Sequence, residues 1–197
     1  MILDLVRTVA PSAPLLTVAE AKAHMVVEHA SDDALIEALI AAVTDHLDGY
    51  AGVLGRALIQ QTWALHLETL GRGPIVLPLP PLIDVTSIAY VSPSGSAEIL
   101  DPATYVAVPG RRCEVRPAFG LNWPAVRRQA RGATVTFRCG YGSAASDVPP
   151  AIRQAAKIMV ADLYEHRESG VVGTVTSEIK ASVTAERLLR PYRLLPV

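Results

Sequence analysis

Five histidines and two cysteines are the side chains of this chain that could bind a metal or act as nucleophiles. The cysteines, Cys113 and Cys139, have no histidine near them in the sequence, and no His-Glu-x-x-His pair occurs. Their spacing therefore predicts no zinc site. Each histidine is interpreted as a solvated or interfacial side chain. The histidines are His24, His29, His46, His66 and His166.

Other local signatures of catalysis are also missing from the sequence. Asp32 and Asp33 could be imagined as a metal-binding pair, but they stand where a helix begins, and capping of the first turn explains them. Gly140-x-Gly142 is a lone glycine pair after a strand, which is a weak dinucleotide signal. No P-loop and no Gly-x-Ser-x-Gly motif occurs. We predict a protein that is not an enzyme and that uses no cofactor and no metal.

The composition bounds the size of the fold and its partners. The chain has 197 residues, of which 50% are hydrophobic and 5% aromatic, so one domain with a sizeable insertion can be packed from aliphatic side chains. A net charge of −1 argues against a dedicated nucleic-acid binder. Cys113 and Cys139 are interpreted as buried thiols, which could pair only if their strands were neighbours. Neither a signal peptide nor a membrane span is expected, and we expect synthesis in the cytoplasm.

Helical spacing brackets the middle of the chain. Thr17 and Glu20 form a capping-box pattern that predicts a short helix to about residue 28. A second helix is predicted from about Ser31 to Gly49, and a third over 149–168, each with an apolar stripe. We predict a small helical bundle built from residues 17–53 and 148–169. The apolar stripe of the third helix is Ile152, Ala155, Ala156, Met159, Val160, Leu163 and Tyr164.

Between these helices the period changes to alternation. Short alternating runs separated by turns predict antiparallel pairing, because parallel strands need long crossovers. We therefore predict an α+β fold with an antiparallel β insertion over residues 57–142. Residues 1–16 are interpreted as an N-terminal arm or an edge strand. After residue 170 the helical pattern thins, and residues 170–197 are interpreted as an extended C-terminal docking arm that becomes ordered on docking. The alternative is an ordinary terminal helix turn folded on its own domain.

An arginine-rich stretch covers residues 111–138 and contains a single acid, Glu114. One interpretation is the solvated face of β-hairpins. The other is a surface for an acidic protein partner or for passing DNA, since a guanidinium makes bidentate contacts with carboxylates and phosphates. Both interpretations stay open. The arginines are Arg111, Arg112, Arg116, Arg127, Arg128, Arg131 and Arg138.

A series of short segments, taken in order, resembles a known family: the head–tail connector (adaptor) proteins of long-tailed phages, prophages and gene transfer agents. The resemblance runs from about residue 16 to residue 193. The segments are 55–63 (GRALIQQTW), 77–88 (LPLPPLIDVTSI), 123–124 (WP), 141–142 (YG) with 147–152 (DVPPAI), 163–167 (LYEHR) and 188–193 (LLRPYR).

The resemblance implies a structural virion protein located in the particle neck and assembled in the bacterial cytoplasm. It implies a ring of copies of this chain, typically twelve, between the portal and a tail-side neck protein, with a channel for DNA and no membrane. The C-terminal arm would then dock on the portal. The candidate docking residues are Arg187, Leu188, Leu189, Arg190, Pro191, Tyr192 and Arg193.

Two other functions stay open at this point. The chain could be a different neck or tail protein, such as a tail terminator or a head-completion protein. It could also be a small enzyme or ligand-binding domain whose site is built across strands, because spatial convergence is not visible in one sequence. Electron microscopy separates these alternatives: a ring with a central opening favours the connector, and a compact monomer with a deep polar pocket favours the enzyme.

Overall fold

A computed structural model of the chain describes residues 2–166 and 183–194. The predicted α+β class with antiparallel sheets is confirmed. The chain divides into two compact units. The β unit consists of Met1–Ser12 and Ile59–Ser143, and the helical unit consists of Ala13–Leu58 and Ala144–Val197. The expected β insertion, 57–142, differs from the second segment of the β unit by one or two residues at each end.

All the strands of the described chain belong to the β unit, where they form two antiparallel sheets. The larger sheet has the order β1-β2-β8-β4-β5, and the smaller one has the order β3-β7-β6. The strands are β1 (Ile2–Val9), β2 (Gln61–Leu67), β3 (Ile75–Leu77), β4 (Leu82–Val91), β5 (Ala97–Ile99), β6 (Tyr105–Val108), β7 (Cys113–Pro117) and β8 (Ala133–Cys139).

Strand β8 is the centre of the larger sheet. It pairs with β2 from Gln61 opposite Cys139 to Leu67 opposite Ala133, and with β4 on its other side. Every second side chain of β8 is buried, while the threonines between them and Arg138 are half-buried. The alternation predicted for β8 is therefore confirmed, with Phe137 fully buried in the core.

The N-terminal residues are part of the sheet. We expected residues 1–16 to form an arm or an edge strand, and Ile2–Val9 pairs antiparallel with β2 as the edge strand β1. A separate arm is therefore wrong for these residues. The Arg7 guanidinium carbon lies 6.0 Å from the centre of the Trp63 ring, which adds a cation–π contact to the backbone ladder.

The smaller sheet has one buried face and one solvent-exposed face, which is called the open face. Cys113 and Val115 of β7 are buried, whereas Val106 and Val108 of β6 are exposed. Cys113 and Cys139 are both buried thiols, and they lie in different sheets. The interpretation of the two cysteines as buried thiols is confirmed.

The four α-helices of the described residues all belong to the helical unit, where α3 contacts each of the others. The apolar stripes place Ile36 and Val43 of α2, and Ile152 and Val160 of α3, in the core. The helices are α1 (Val18–Met25), α2 (Asp33–Leu47), α3 (Pro150–Glu165) and α4 (Val183–Leu189).

Polar contacts join the helices at their ends. The Thr17 hydroxyl accepts a hydrogen bond from the Glu20 amide at 3.2 Å, and the Glu20 carboxylate accepts from the Thr17 amide at 3.0 Å, so the predicted capping box is confirmed. Glu20 also pairs with Arg153 of α3. The Thr17 amide and hydroxyl both donate hydrogen bonds to the Glu20 carboxylate, and together with the Arg153 charge these bonds lower the pKa of Glu20.

The explanation of Asp32 and Asp33 by capping alone is wrong. Asp32 stands at the N-cap of α2 without a side-chain cap hydrogen bond. Its carboxylate accepts a hydrogen bond from the Tyr164 hydroxyl at 2.6 Å, and the Asp33 carboxylate pairs with the Lys22 ammonium at 2.7 Å. Asp32 therefore connects α2 to the distant α3, and Asp33 connects α2 to the preceding α1.

An extended C-terminal arm is wrong for residues 183–194. This segment forms α4 and a short 3-10 helix, Arg190–Tyr192, and α4 packs on α3 with Ala185 and Leu189 buried. The buried pair stands at i, i+4 spacing, which places both side chains on one face of the helix. Residues 170–182 and 195–197 of the expected arm, and the end of the expected 149–168 helix, lie outside the described residues.

The two phenylalanines of the chain give a matched test of the core. Phe137 is fully buried and Phe119 is fully exposed. We expect Phe137→Ala to lower the free energy of unfolding of the β unit by about 3–5 kcal/mol, and Phe119→Ala to change it by less than about 0.5 kcal/mol. Both tryptophans, Trp63 and Trp123, lie in the β unit, so their fluorescence during urea unfolding measures the difference. Equal effects of the two substitutions would contradict this packing.

The lowered pKa of Glu20 predicts a pH-dependent contribution to the helical unit. Its charged form stabilises the fold at neutral pH, and that stability is lost as the pH falls through the lowered folded-state pKa. We expect Glu20→Gln to lower the free energy of unfolding by about 1 kcal/mol at neutral pH and to have no effect well below pH 4. Helical circular dichroism during urea unfolding reports this unit. A constant difference at every pH would show that charge is not involved, and Glu37→Gln, on an exposed carboxylate of α2, is the control.

Candidate functional site

Among residues 2–166 and 183–194, no group of three or more His, Cys, Asp and Glu side chains is placed to hold a metal ion. Four of the five histidines are exposed, and His66 of β2 is half-buried. Its ring lies 3.0 Å from the Thr134 hydroxyl, and partial burial, reinforced by the Arg131 charge, lowers its pKa. No helix of the described chain is both long and apolar enough to cross a lipid bilayer.

The glycine pair at the end of β8 has a packing role. Gly140 has φ +124°, and a Cβ at this position would lie 2.7 Å from the Gln60 amide nitrogen. The Gln60 amide donates to the Gly142 carbonyl at 2.8 Å, and the Gly140 amide donates to the Pro81 carbonyl at 2.9 Å. The glycines let three stretches of backbone approach one another, which explains the weak dinucleotide signal without a nucleotide.

The arginine-rich stretch is distributed over three places in the β unit. Arg111, Arg112 and Arg116 lie at the β6–β7 hairpin, Arg127, Arg128 and Arg131 lie between β7 and β8, and Arg138 lies on β8. Strand β7 belongs to the smaller sheet and β8 to the larger one. The seven arginines are therefore divided between two sheets and the segment that joins them.

Four of the seven arginines have acidic partners. Arg138 makes a bidentate pair with Asp84 of β4, and this hydrogen bonding lowers the pKa of the carboxyl group. Arg116 pairs with Glu114 on the same strand. The remaining two contacts join Arg131 to Asp4 at 3.1 Å and Arg128 to Glu68 at 3.8 Å. These pairs reduce the positive charge available to an external anion.

The other three arginines, Arg111, Arg112 and Arg127, are exposed, and no ion pair is found for them within the described residues. Arg111 and Arg112 occupy the turn between β6 and β7. This turn is the one place where the structure puts two adjacent cations of the sequence-predicted patch at the surface without an acid beside them.

The sequence reading missed an exposed apolar turn that follows β7. Phe119 is fully exposed and Leu121 is about half exposed, although both are strongly apolar. Gly120 between them has φ +78°, a value that favours glycine. A glycine flanked by two large apolar residues at the end of a strand was the sequence signal for an apolar turn.

The C-terminal candidates are held against their own unit. Leu189 is buried, and Leu188 and Tyr192 are half-buried. The Arg56 guanidinium donates to the Tyr192 carbonyl at 2.5 Å, and the Leu194 amide donates to the Leu54 carbonyl at 3.2 Å. The exposed members of the set are Arg187, Arg190, Pro191 and Arg193.

Solved structures with the same fold come from particles of gene transfer agents. One matching chain belongs to the virion of a native gene transfer agent particle, with a TM-score of 0.74 and 23% identity over 99% of this chain and 97% of that one. Two others, from the neck of an empty particle computed with C6 symmetry and the neck of a native particle computed with C12 symmetry, each have a TM-score of 0.71 and 24% identity at the same coverage. The likeness shows a shared fold over the whole chain.

No family model matches this chain, and no curated protein sequence matches it.

The pairing of four arginines predicts how the chain responds to DNA. Seven free arginines on one surface would give a slope of log affinity against log salt concentration of about −6, whereas three unpaired ones give a slope no steeper than about −3. We expect the shallower slope for the purified chain with a random duplex. Arg111→Ala with Arg112→Ala should make it shallower still by about two. Arg138→Ala is the matched control, because Asp84 already neutralises that side chain.

Proposed function

We propose that this chain is a structural protein of the neck of a phage-like particle, where copies of it form a ring between the portal and the tail and leave a channel for DNA. The observation that carries the proposal is the likeness to chains from gene transfer agent particles, two of them from necks, which spans 99% of this chain and 97% of each of the others. A match that covers nearly all of both chains supports a similar structural role in a similar particle.

The distribution of charge in the chain supports repetition around an axis. The β unit has nine basic and six acidic side chains, and the helical unit has nine basic and thirteen acidic ones, so a net charge of −1 divides into about +3 and −4. A ring needs a head-to-tail contact in which two different surfaces of the same chain meet. Two units of opposite net charge supply two such surfaces.

We propose twelve copies for the ring, on the analogy of the neck computed with C12 symmetry. A neck computed with C6 symmetry also contains this fold, and a sixfold ring nearer the tail is the arrangement that a tail-terminator role would require. The subunit count in the assembled particle therefore distinguishes the connector from the other neck protein. We propose no catalytic activity for either role.

The C-terminal segment is our candidate for contact with the portal. The arginines Arg187, Arg190 and Arg193 are exposed while the adjoining Leu189 anchors α4 in the core. Exposed guanidinium groups on a packed helix suit a preformed docking surface for an acidic partner. Truncation of this segment would remove Leu189 from the core, so charge reversal is the cleaner way to probe it.

The proposal is tested in cells that produce the particle. Removal of the chain should give DNA-filled heads without tails, and the wild-type chain supplied in trans should restore tails and form a ring in the neck by electron microscopy. We expect Arg187→Glu, Arg190→Glu and Arg193→Glu together to lower the yield of tailed particles at least about tenfold, because an acidic partner that binds the three arginines would repel three glutamates. The purified variant should keep the helical circular dichroism of the wild type.

A matched control reverses charges elsewhere on the helical unit. Glu37→Arg with Asp45→Arg alters two exposed residues of α2. If these variants and the arginine variants reduce tailing equally, the C-terminal segment has no special role in docking. Tailed particles that form without the chain would contradict the neck function itself.

A further inference from the structure

The open face of the smaller sheet is made of apolar and charged side chains in register. Val106 lies opposite Arg116, and Val108 lies opposite Glu114, which pairs with Arg116. Val76 extends the row, since it lies opposite Glu114 on the other side of β7. The opposite face of the same strands is buried. We call the row of Val76, Val106, Val108, Glu114 and Arg116 the hairpin face.

The hairpin face continues into the apolar turn after β7. The Ala118 amide donates to the Thr104 carbonyl at 2.9 Å and so extends the β6–β7 ladder past the paired Tyr105 and Pro117. The Leu121 amide then donates to the Ala118 carbonyl at 2.9 Å, which closes a tight turn around Phe119. The turn is therefore held by backbone hydrogen bonds while it presents a fully exposed phenyl ring. An ordered, exposed Phe is the kind of side chain that anchors an interface.

Strand β6 adds an open backbone edge to this surface. It is the last strand of the order β3-β7-β6, and its two outward side chains, Val106 and Val108, are both exposed. Natural proteins protect such edges with charges, bulges or a covering element. Residues 105–108 contain no charged side chain, so charge does not protect this edge.

The charge around the hairpin face indicates what covers it. At one end the turn between β6 and β7 exposes Arg111 and Arg112, for which the described chain supplies no acid. The helical unit of the same protein carries an excess of four acidic side chains. The helical unit of another copy therefore offers the opposite net charge to this cationic end.

We propose that the hairpin face, with the turn 118–121 and the arginines Arg111 and Arg112, binds the helical unit of the neighbouring copy in the ring. The inference rests on the proposed function, and it names the surface through which the ring closes. Each copy offers its hairpin face to one neighbour and its helical unit to the other, which is the head-to-tail geometry that a closed ring requires. A DNA duplex is a poorer occupant, because the exposed Phe119, Val106 and Val108 offer no contact to phosphate.

The first experiment replaces one exposed apolar side chain at a time in the particle-producing cells. We expect Phe119→Ser to lower the number of copies per particle at least about tenfold, since an aromatic anchor is lost from every contact around the ring. The matched control is Ile99→Ser, an exposed apolar residue of β5 in the other sheet, which should be incorporated as the wild type is. Quantitative mass spectrometry of purified particles measures both. Urea unfolding of each purified variant establishes that the β unit is folded.

The second experiment identifies the occupant. Phe119 is replaced by the photoreactive benzoylphenylalanine, the assembled particles are irradiated, and cross-linked peptides are sequenced. The proposal expects a covalent pair of two copies, with the partner peptide from residues 13–58 or 144–197. Cross-links to the β unit of another copy, to a different protein or to DNA overturn it, and so does the absence of any cross-link.

Different outcomes contradict the neck function and the ring contact. If the wild-type chain is missing from the neck, the proposed function is wrong and the inference falls with it. If the wild-type chain is in the neck and Phe119→Ser enters it as efficiently as Ile99→Ser does, the neck function stands and the hairpin face is not the ring contact.

Discussion

The pairing of β2 with β8 is the constraint on which the rest of the structure depends. Gln61 stands opposite Cys139, so the first strand after the chain enters the insertion is bonded to the last strand before it leaves. Gly140 permits the close approach of Gln60 at that point, and the Gln60 amide adds a hydrogen bond to the Gly142 carbonyl. This pairing thereby joins the two ends of a segment of more than seventy residues, from β2 to β8. The helical unit is assembled from the two flanking segments, and it relies on contacts such as Glu20 with Arg153 to join them.

The features that the sequence predicted correctly are those that depend on residue spacing within a single helix or strand. The capping box of Thr17 and Glu20, the stripes of α2 and α3 and the alternation of β8 each follow from spacing within one element, and each is present. The partners of charged residues did not follow, because Tyr164 reaches Asp32 across 132 positions and Arg138 reaches Asp84 across 54. A guanidinium seen in a sequence gives no indication of whether a carboxylate neutralises it. For that reason the seven arginines that the sequence suggested as one patch are four arginines paired with acidic residues and three exposed cations.

The C-terminal segment shows how a weak pattern misleads. Residues 188–193 combine two leucines with a proline and two arginines, and the thinning of the helical pattern after residue 170 indicated an extended arm. Ala185 and Leu189, one helical turn apart, are nevertheless enough to seat α4 on α3. The exposed turn around Phe119 was missed for the opposite reason, since a large apolar residue after a strand is ordinarily interpreted as core. In both cases burial depends on contacts between elements, which periodicity within one element does not contain.

The positions of Cys113 and Cys139 give the β unit two built-in reporters of its motions. Each thiol is shielded within a different sheet, and neither is positioned to oxidise with the other while the strands hold their places. A thiol-specific reagent can therefore modify Cys113 only when the small sheet opens and Cys139 only when the large sheet opens. The two labelling rates separate the local opening of one sheet from the unfolding of both, and they can be measured in an assembly of any size.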